Sequence, residues 1–233
     1  MRHAPELARA AQKDKDVRRV EEEFYELLVS LDFVPSSPVL LTTGKTNQFF
    51  SSVGLAVQDD LHALLQALEL AVGFQQFGGS TSFSFRSLRR AGSVVSRTQG
   101  SSAGVLGFLR LFDGVVREIE PGFVRPGVMG ALLPIDHADI EQFIRARLSG
   151  SLLPHFTLTV SISDAFVRAV QKGISFPLVD PHTKKAVSRV DARALFRLLC
   201  ESIHLTGGPS IIFADGFVRA SPILKGEHFV AAT

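Results

Sequence analysis

The run Gly78-Gly79-Ser80-Thr81-Ser82 sets two glycines beside three hydroxyl residues, and Arg86 and Arg89 follow closely. Such a run lets backbone pass close to a ligand, with amide N–H groups free to bind phosphate or hydroxyl oxygens. The arginines lie within reach of a second anionic group. Two further loops rich in small residues, 98–104 and 121–130, suit the same purpose. Asp59 and Asp60 form a carboxylate pair where a helix N-cap and first turn belong, and capping accounts for both. The histidines at 3, 62, 137, 155, 182, 204 and 228 are dispersed, and no pair has the helical spacing of metal ligands, so no metal site is expected. Cys200, the single cysteine, excludes an internal disulfide and sits in an apolar helical pattern, which predicts a buried small residue rather than a nucleophile. The chain has no Gly-x-Ser-x-Gly elbow, Walker sequence or Gly-x-Gly-x-x-Gly fingerprint. These residues offer anion binding without a complete catalytic set.

The elements that must position them follow from periodicity. Val17, Val20, Phe24, Leu27, Leu28 and Leu31 predict an amphipathic helix that ends before Pro35-Ser36-Ser37-Pro38. Val39-Leu40-Leu41 reads as a short strand or extended segment. Residues 48–57 read as a strand buried on both faces. A helix through Leu61, Leu64, Leu65, Leu68 and Val72 then stops at Gly78, and a Phe/Ser alternation opens a strand. Further on, a helix over 105–118, a short strand at 131–134, a helix capped by Asp136 and a strand over 155–162 are expected. Ser163-Asp164 caps another helix, 177–190 is a β excursion around Asp180-Pro181, and a helix over 191–205 precedes an apolar strand at 210–214. The last twenty residues lose periodicity. Strand, helix, turn and strand repeat about five times with strongly apolar strands, which predicts an α/β protein with a parallel barrel or doubly wound sheet.

With 233 residues, 45% of them hydrophobic, the chain can bury a substantial core. A net charge of +2, with lysines and arginines scattered, does not indicate a nucleic-acid surface. Neither a run of membrane-spanning length nor a signal peptide is present, so no membrane association and a cytoplasmic location are expected. Residues 1–34 read as a helical lead-in and 35–233 as one domain.

The order of the motifs resembles the ribonucleotide reductase catalytic subunit, and most closely its adenosylcobalamin-dependent class. Pro-Ser-Ser-Pro-Val-Leu-Leu, Gln-Phe-Phe-Ser-Ser and the Asp-Asp-Leu helix come first, followed by Gly-Gly-Ser-Thr-Ser-Phe-Ser-Phe-x-x-Leu-Arg. Residues 104–113, the loop 122–130, Ile135-Asp136-His137-Ala138-Asp139-Ile140, residues 155–166 and Thr206-Gly207-Gly208-Pro209 continue it colinearly over 24–233. The resemblance implies a ten-stranded α/β barrel, of which this chain would supply the first half, with a C-terminal half-barrel as the missing partner. It implies ribonucleotide contacts at Ser37, Ser51 and Ser80. A deoxynucleoside triphosphate effector is implied at Asp59, Asp60, Leu61 and Arg89, with Arg125 on the loop relaying effector identity. Dimerisation through the effector helices would follow. Adenosylcobalamin is implied for the complete enzyme, with none held by this chain alone.

Departures from the family bear on activity. Ser52 stands where the family has one cysteine of its redox dithiol, and a hydroxyl cannot form the disulfide. Ser80 and Ser82 replace glycines, and the 122–130 loop keeps Arg125 alone. The family's Asn-Pro-Cys-Gly-Glu segment, with its thiyl-radical cysteine, is absent from these residues. The expectation is an N-terminal reductase part that is inactive alone. The alternatives are a non-catalytic nucleotide-binding relative or a decayed gene fragment.

Overall fold

The computed structural model describes residues 17–42, 52–76, 78–119, 128–148 and 153–220. Expectations for Ser51, Arg125, residues 48–51 and most of the 121–130 loop therefore lie outside the described residues. The elements are α1 (Val17–Val29), α2 (Ser37–Thr42), β1 (Ser52–Ala56), α3 (Leu61–Gln76), β2 (Ser80–Ser84), β3 (Val94–Val95), β4 (Gly100–Ser101) and α4 (Gly104–Arg117). They continue with β5 (Met129–Pro134), α5 (Ile140–Arg145), β6 (Phe156–Ile162), α6 (Asp164–Lys172), β7 (Ser175–Asp180), β8 (Lys185–Asp191), α7 (Ala192–Thr206), β9 (Ser210–Phe213) and α8 (Ala214–Ala220).

Among the described residues, one sheet has the order β1-β2-β5-β6-β9, every neighbouring pair parallel. Each new strand joins the same edge, so the order never reverses as it does in a doubly wound sheet. Right-handed crossovers then place the connecting helices on one face. The side chains agree. Phe83 on β2, Met129, Ala131 and Leu133 on β5, and Phe156, Leu158, Val160 and Ile162 on β6 join one core with residues of α3 to α7. Phe83 and Phe85 meet Phe112 of α4 at centroid separations of 5.2 and 6.1 Å. The sheet is open over the described residues, so the fold is parallel α/β without observed closure.

The period-2 alternation sends the other half of each strand to the face without helices. In register across it stand Ser52, Gly54 and Ala56 of β1 with Ser80, Ser82 and Ser84 of β2. Gly130 and Leu132 of β5 come next, then Thr157 and Thr159 of β6. One face of the sheet is thus aliphatic and aromatic, and the other is small and hydroxyl-rich.

Several expectations need correction. Residues 37–42 are helical, not extended. The Leu40 amide donates to the Ser36 carbonyl at 3.1 Å, and Pro38 falls in the first turn, where its missing N–H costs nothing. β1 is not buried on both faces. It is the outermost strand of the described sheet, and its residues are half-buried or exposed. Asp136 is exposed and caps nothing. Residues 136–139 make a turn first, with the His137 amide on the Pro134 carbonyl, and Asp139 is the N-cap of α5. Cys200 is exposed, one step off the stripe of Ala192, Leu195, Leu198, Leu199 and Ser202 that α7 buries. Residues 214–220, expected to lack periodicity, form α8.

Candidate functional site

Residues 88–93, just after β2, are gripped by four side chains from three places in the chain. His137 is buried, and its Nε2–H donates to the Leu88 carbonyl at 2.8 Å, while its Nδ1 accepts the Asp139 amide at 3.0 Å. That pair of bonds fixes the neutral tautomer. Both oxygens of the buried Asp139 carboxylate accept the Ala91 amide at 3.1 Å, and Oδ2 also accepts the Val105 amide at 3.1 Å. Asp59 accepts the Arg89 amide at 3.2 Å and the Arg89 Nε–H at 2.8 and 3.0 Å. Asp180, at the end of β7, accepts the Ser93 hydroxyl at 3.1 Å.

Asp180 also gathers its own turn. Its Oδ1 accepts the His182 and Thr183 amides at 2.8 and 3.4 Å, and Arg90 Nε lies 3.6 Å from Oδ2, an ion pair too long for a hydrogen bond. Burial alone would push the Asp180 carboxyl up. The His182 amide, the Ser93 hydroxyl, the Thr183 amide and the Arg90 charge together outweigh it and hold the group below the usual carboxylate range.

These grips shape a cleft of about 680 Å³ between the start of α3, the segment after β2 and the β3–β4 hairpin. Asp59, Asp60, Leu61 and Arg89, the residues matched to an effector site, all line it, together with Arg97, Thr98 and Ser102. The two aspartates divide their labour rather than both capping. Asp60 Oδ1 accepts the Ala63 amide at 3.0 Å as the cap of α3, whereas Asp59 is spent on Arg89. Sequence reasoning missed the hairpin, His137, Asp139, Asp180 and His182 as builders of the cleft. Gly92 and Gly100 flanking Val94-Val95 were the available hairpin signal.

The substrate positions fall elsewhere. Ser80 is buried on the hydroxyl-rich face, its Oγ accepting the Val128 amide at 3.4 Å, and Ser52 is its register partner on β1. Ser84, on the same face, keeps a buried hydroxyl without a hydrogen-bond partner among the described residues. Ser37 is exposed at the first position of α2, and no hydrogen bond among the described residues ties it to β1 or β2.

A family profile described as "Ribonucleotide reductase, barrel domain" matches residues 50–233. The chain belongs to the ribonucleotide reductase barrel-domain family. A "Vitamin B12-dependent ribonucleoside-diphosphate reductase" of Mycobacterium tuberculosis is 38% identical over 218 residues, covering 93% of this chain and 31% of the relative. One of the same description from Thermoplasma acidophilum is 32% identical over 202 residues, covering 86% and 26%. A "Ribonucleoside-diphosphate reductase large subunit" of variola virus is 26% identical over 228 residues, covering 85% and 30%. The reductase-family chain thus spans about a third of the length of the curated relatives it matches.

Proposed function

We propose that this chain is the nucleotide-handling part of a B12-dependent ribonucleotide reductase, which converts ribonucleotides to deoxyribonucleotides. The observation that carries the reading is the convergence of Asp59, Asp60, Leu61 and Arg89 on one cleft. A deoxynucleoside triphosphate is the fitting ligand there. The cleft offers the N-terminal turn of a sixteen-residue helix, two guanidiniums and several hydroxyls to an anion and a sugar. The ribonucleotide belongs on the hydroxyl-rich face, where Ser80 and the unpartnered Ser84 hydroxyl can meet ribose or phosphate oxygens. Ser51, Ser37 and Arg125 complete the proposed nucleotide contacts. The barrel would close with a further half supplied by other residues, and a cytoplasmic setting accompanies the reading.

Chemistry is where this chain departs. In the family-like reaction a thiyl radical abstracts a ribose hydrogen and a dithiol then supplies two electrons. Ser52 cannot enter that dithiol, and the reductase reading therefore assigns this chain binding rather than turnover by itself. The described residues do not fit a cobalamin seat. The cleft of about 680 Å³ is lined by Asp59, Asp60, Arg89, Arg97 and several hydroxyls, which suit a phosphate and a sugar and not the broad face of a corrin macrocycle. Adenosylcobalamin is accordingly proposed for the complete enzyme only, and no step is routed through it here.

Calorimetry with the four deoxynucleoside triphosphates tests the reading. Saturable binding of at least one, weakened about tenfold or more in R89A through loss of a charge-assisted contact, is expected. No heat at millimolar ligand would remove it. A non-catalytic nucleotide-binding relative is the second reading, and the serine at position 52 is the observation that favours it. Nucleotide binding without reduction in any reconstituted assembly would select it.

A further inference from the structure

Asp59 is touched from two sides. Arg89 Nε reaches it at 2.8 Å, and His182 Nδ1, from the β7–β8 turn, reaches the same Oδ2 at 3.3 Å. His182 does not line the cleft, and no family match assigns it a part. It stands behind the carboxylate, with its side chain 55% exposed and open to exchange protons with water. The Asp180 carboxylate holds the His182 amide, so the hairpin turn presents the ring to Asp59 from a fixed position.

The charges of the cleft make this contact consequential. Its lining carries two carboxylates, Asp59 and Asp60, and two guanidiniums, Arg89 and Arg97. These cancel, so a ligand bearing several negative charges enters a site with no net positive charge of its own. Arg89 is also committed to Asp59, and any phosphate that engages the guanidinium weakens that commitment and leaves the carboxylate short of a cation. A protonated His182 is the group placed to replace it. The charged groups tied to the ring's two carboxylate neighbours are Arg89, on Asp59, and Arg90, on Asp180, while Lys184 lies in the same turn and His62 in the first turn of α3.

We propose that His182 is a positioning residue of the nucleotide cleft, taking up a proton when a polyanionic ligand engages Arg89 and so pairing with Asp59 as imidazolium. The inference rests on the nucleotide reading of the cleft. The proton comes from solvent, and no bond is made or broken apart from N–H. Because the bound state then holds more protons than the free state, affinity rises as pH falls through the range in which imidazoles change charge, about 5 to 8. Linkage limits the effect of one such group to about tenfold in affinity per pH unit.

The test compares the full chain with H182N, whose amide nitrogen keeps a neutral donor near Nδ1. Binding of each of the four deoxynucleoside triphosphates is measured by calorimetry from pH 6 to 8.5, in two buffers of different ionisation enthalpy. The ligand's own titration and that of His62 are common to both proteins and cancel. The unsubstituted chain is expected to take up more protons on binding, and to lose affinity more steeply with pH by up to about tenfold per unit. A structural role alone would shift affinity equally at every pH. Parallel pH profiles and equal proton uptake would overturn the role of His182 while leaving the nucleotide reading standing. Absence of binding of all four ligands to both proteins would overturn that reading, and this inference with it.

Discussion

Gly104 has φ +66, and a Cβ built on it would stand 2.5 Å from Asp139 Oδ2 and 2.6 Å from the Ala91 amide nitrogen. Only a residue without a side chain both adopts that backbone and lets the Asp139 carboxylate reach two amides at once. G104A is therefore expected to cost about 2–4 kcal/mol, from left-handed strain plus displacement of a buried carboxylate from its donors. Urea unfolding of the two proteins measures this, and a difference under about 0.5 kcal/mol would show that the 88–93 grip yields easily. The glycine was visible in the sequence, but its reason was not. The sequence shows Gly104 closing a small-residue loop and Asp139 in the first turn of a helix expected to be capped by Asp136, and only the parallel crossover brings them together.

The β7–β8 hairpin is held through β7, whose Val179 amide donates to the Asp136 carbonyl at 2.7 Å and whose Val179 carbonyl accepts the Ala138 amide at 3.0 Å. β8 is exposed along most of its length, while β7 buries Phe176, Leu178 and Asp180. Asp180 thus fastens the hairpin tip to Ser93 and Arg90. Its carboxyl is held below the usual range, so its stabilising contribution is present above pH ~4, the ordinary aspartate value, and is lost as pH falls through the lower folded-state value. D180N should be less stable than the parent by about 1–3 kcal/mol at pH 7, with the gap narrowing below pH ~4. Chemical unfolding at pH 7 and pH 3 reads this directly, and a gap of the same size at both would assign the effect to packing. The hairpin itself was legible, because Asp180-Pro181 punctuates two β-patterned runs, and so were α3, α4, β6 and α7, whose apolar periods are long. The Val39-Leu40-Leu41 segment was misread because three apolar residues carry no period, and the Pro38 that seemed to forbid a helix instead opens one. At the site, the motif residues Asp59, Asp60, Leu61 and Arg89 were recognisable. Asp180 and His182 were not, since a carboxylate and an imidazole in a turn look like solvated residues until the turn is docked.

At the scale of the molecule, the helix that begins at the cleft, α3, leaves leucines exposed on both flanks of its buried stripe, Leu61 and Leu65 on one and Leu70 on the other. An open groove of about 920 Å³ runs beside Gln66, Glu69, Leu70, Gly73 and Phe74. The dimer through the effector helix that the family resemblance implies would have to bury the Leu70 side, where the groove lies. L70E is expected to weaken self-association at least about tenfold, the equivalent of one desolvated leucine. Sedimentation velocity over a range of concentrations decides it, and a parent chain that stays monomeric at high concentration would remove the α3 interface. Catalysis is constrained at the same scale. S52C would bring the count to two cysteines, Cys200 being the single native one, whereas the family-like reaction uses a dithiol plus a thiyl radical. No ribonucleotide reduction by the S52C chain alone is expected, and deoxyribonucleotide formation in a direct product assay would contradict this.

The partners of residues 88–93 lie 30, 48, 49 and 87 positions away along the chain. Contacts so distant in sequence form late and slowly. A ribosome making this protein would therefore release β2 and α3 well before the last of the grips exists, and the cleft would be assembled only after the β7–β8 hairpin had emerged. Nascent chains arrested before Asp139 emerges should already pair β1 with β2, yet protect the Ala91 amide, whose acceptor is Asp139, poorly from hydrogen exchange, while the Arg89 amide, held by Asp59, is already protected.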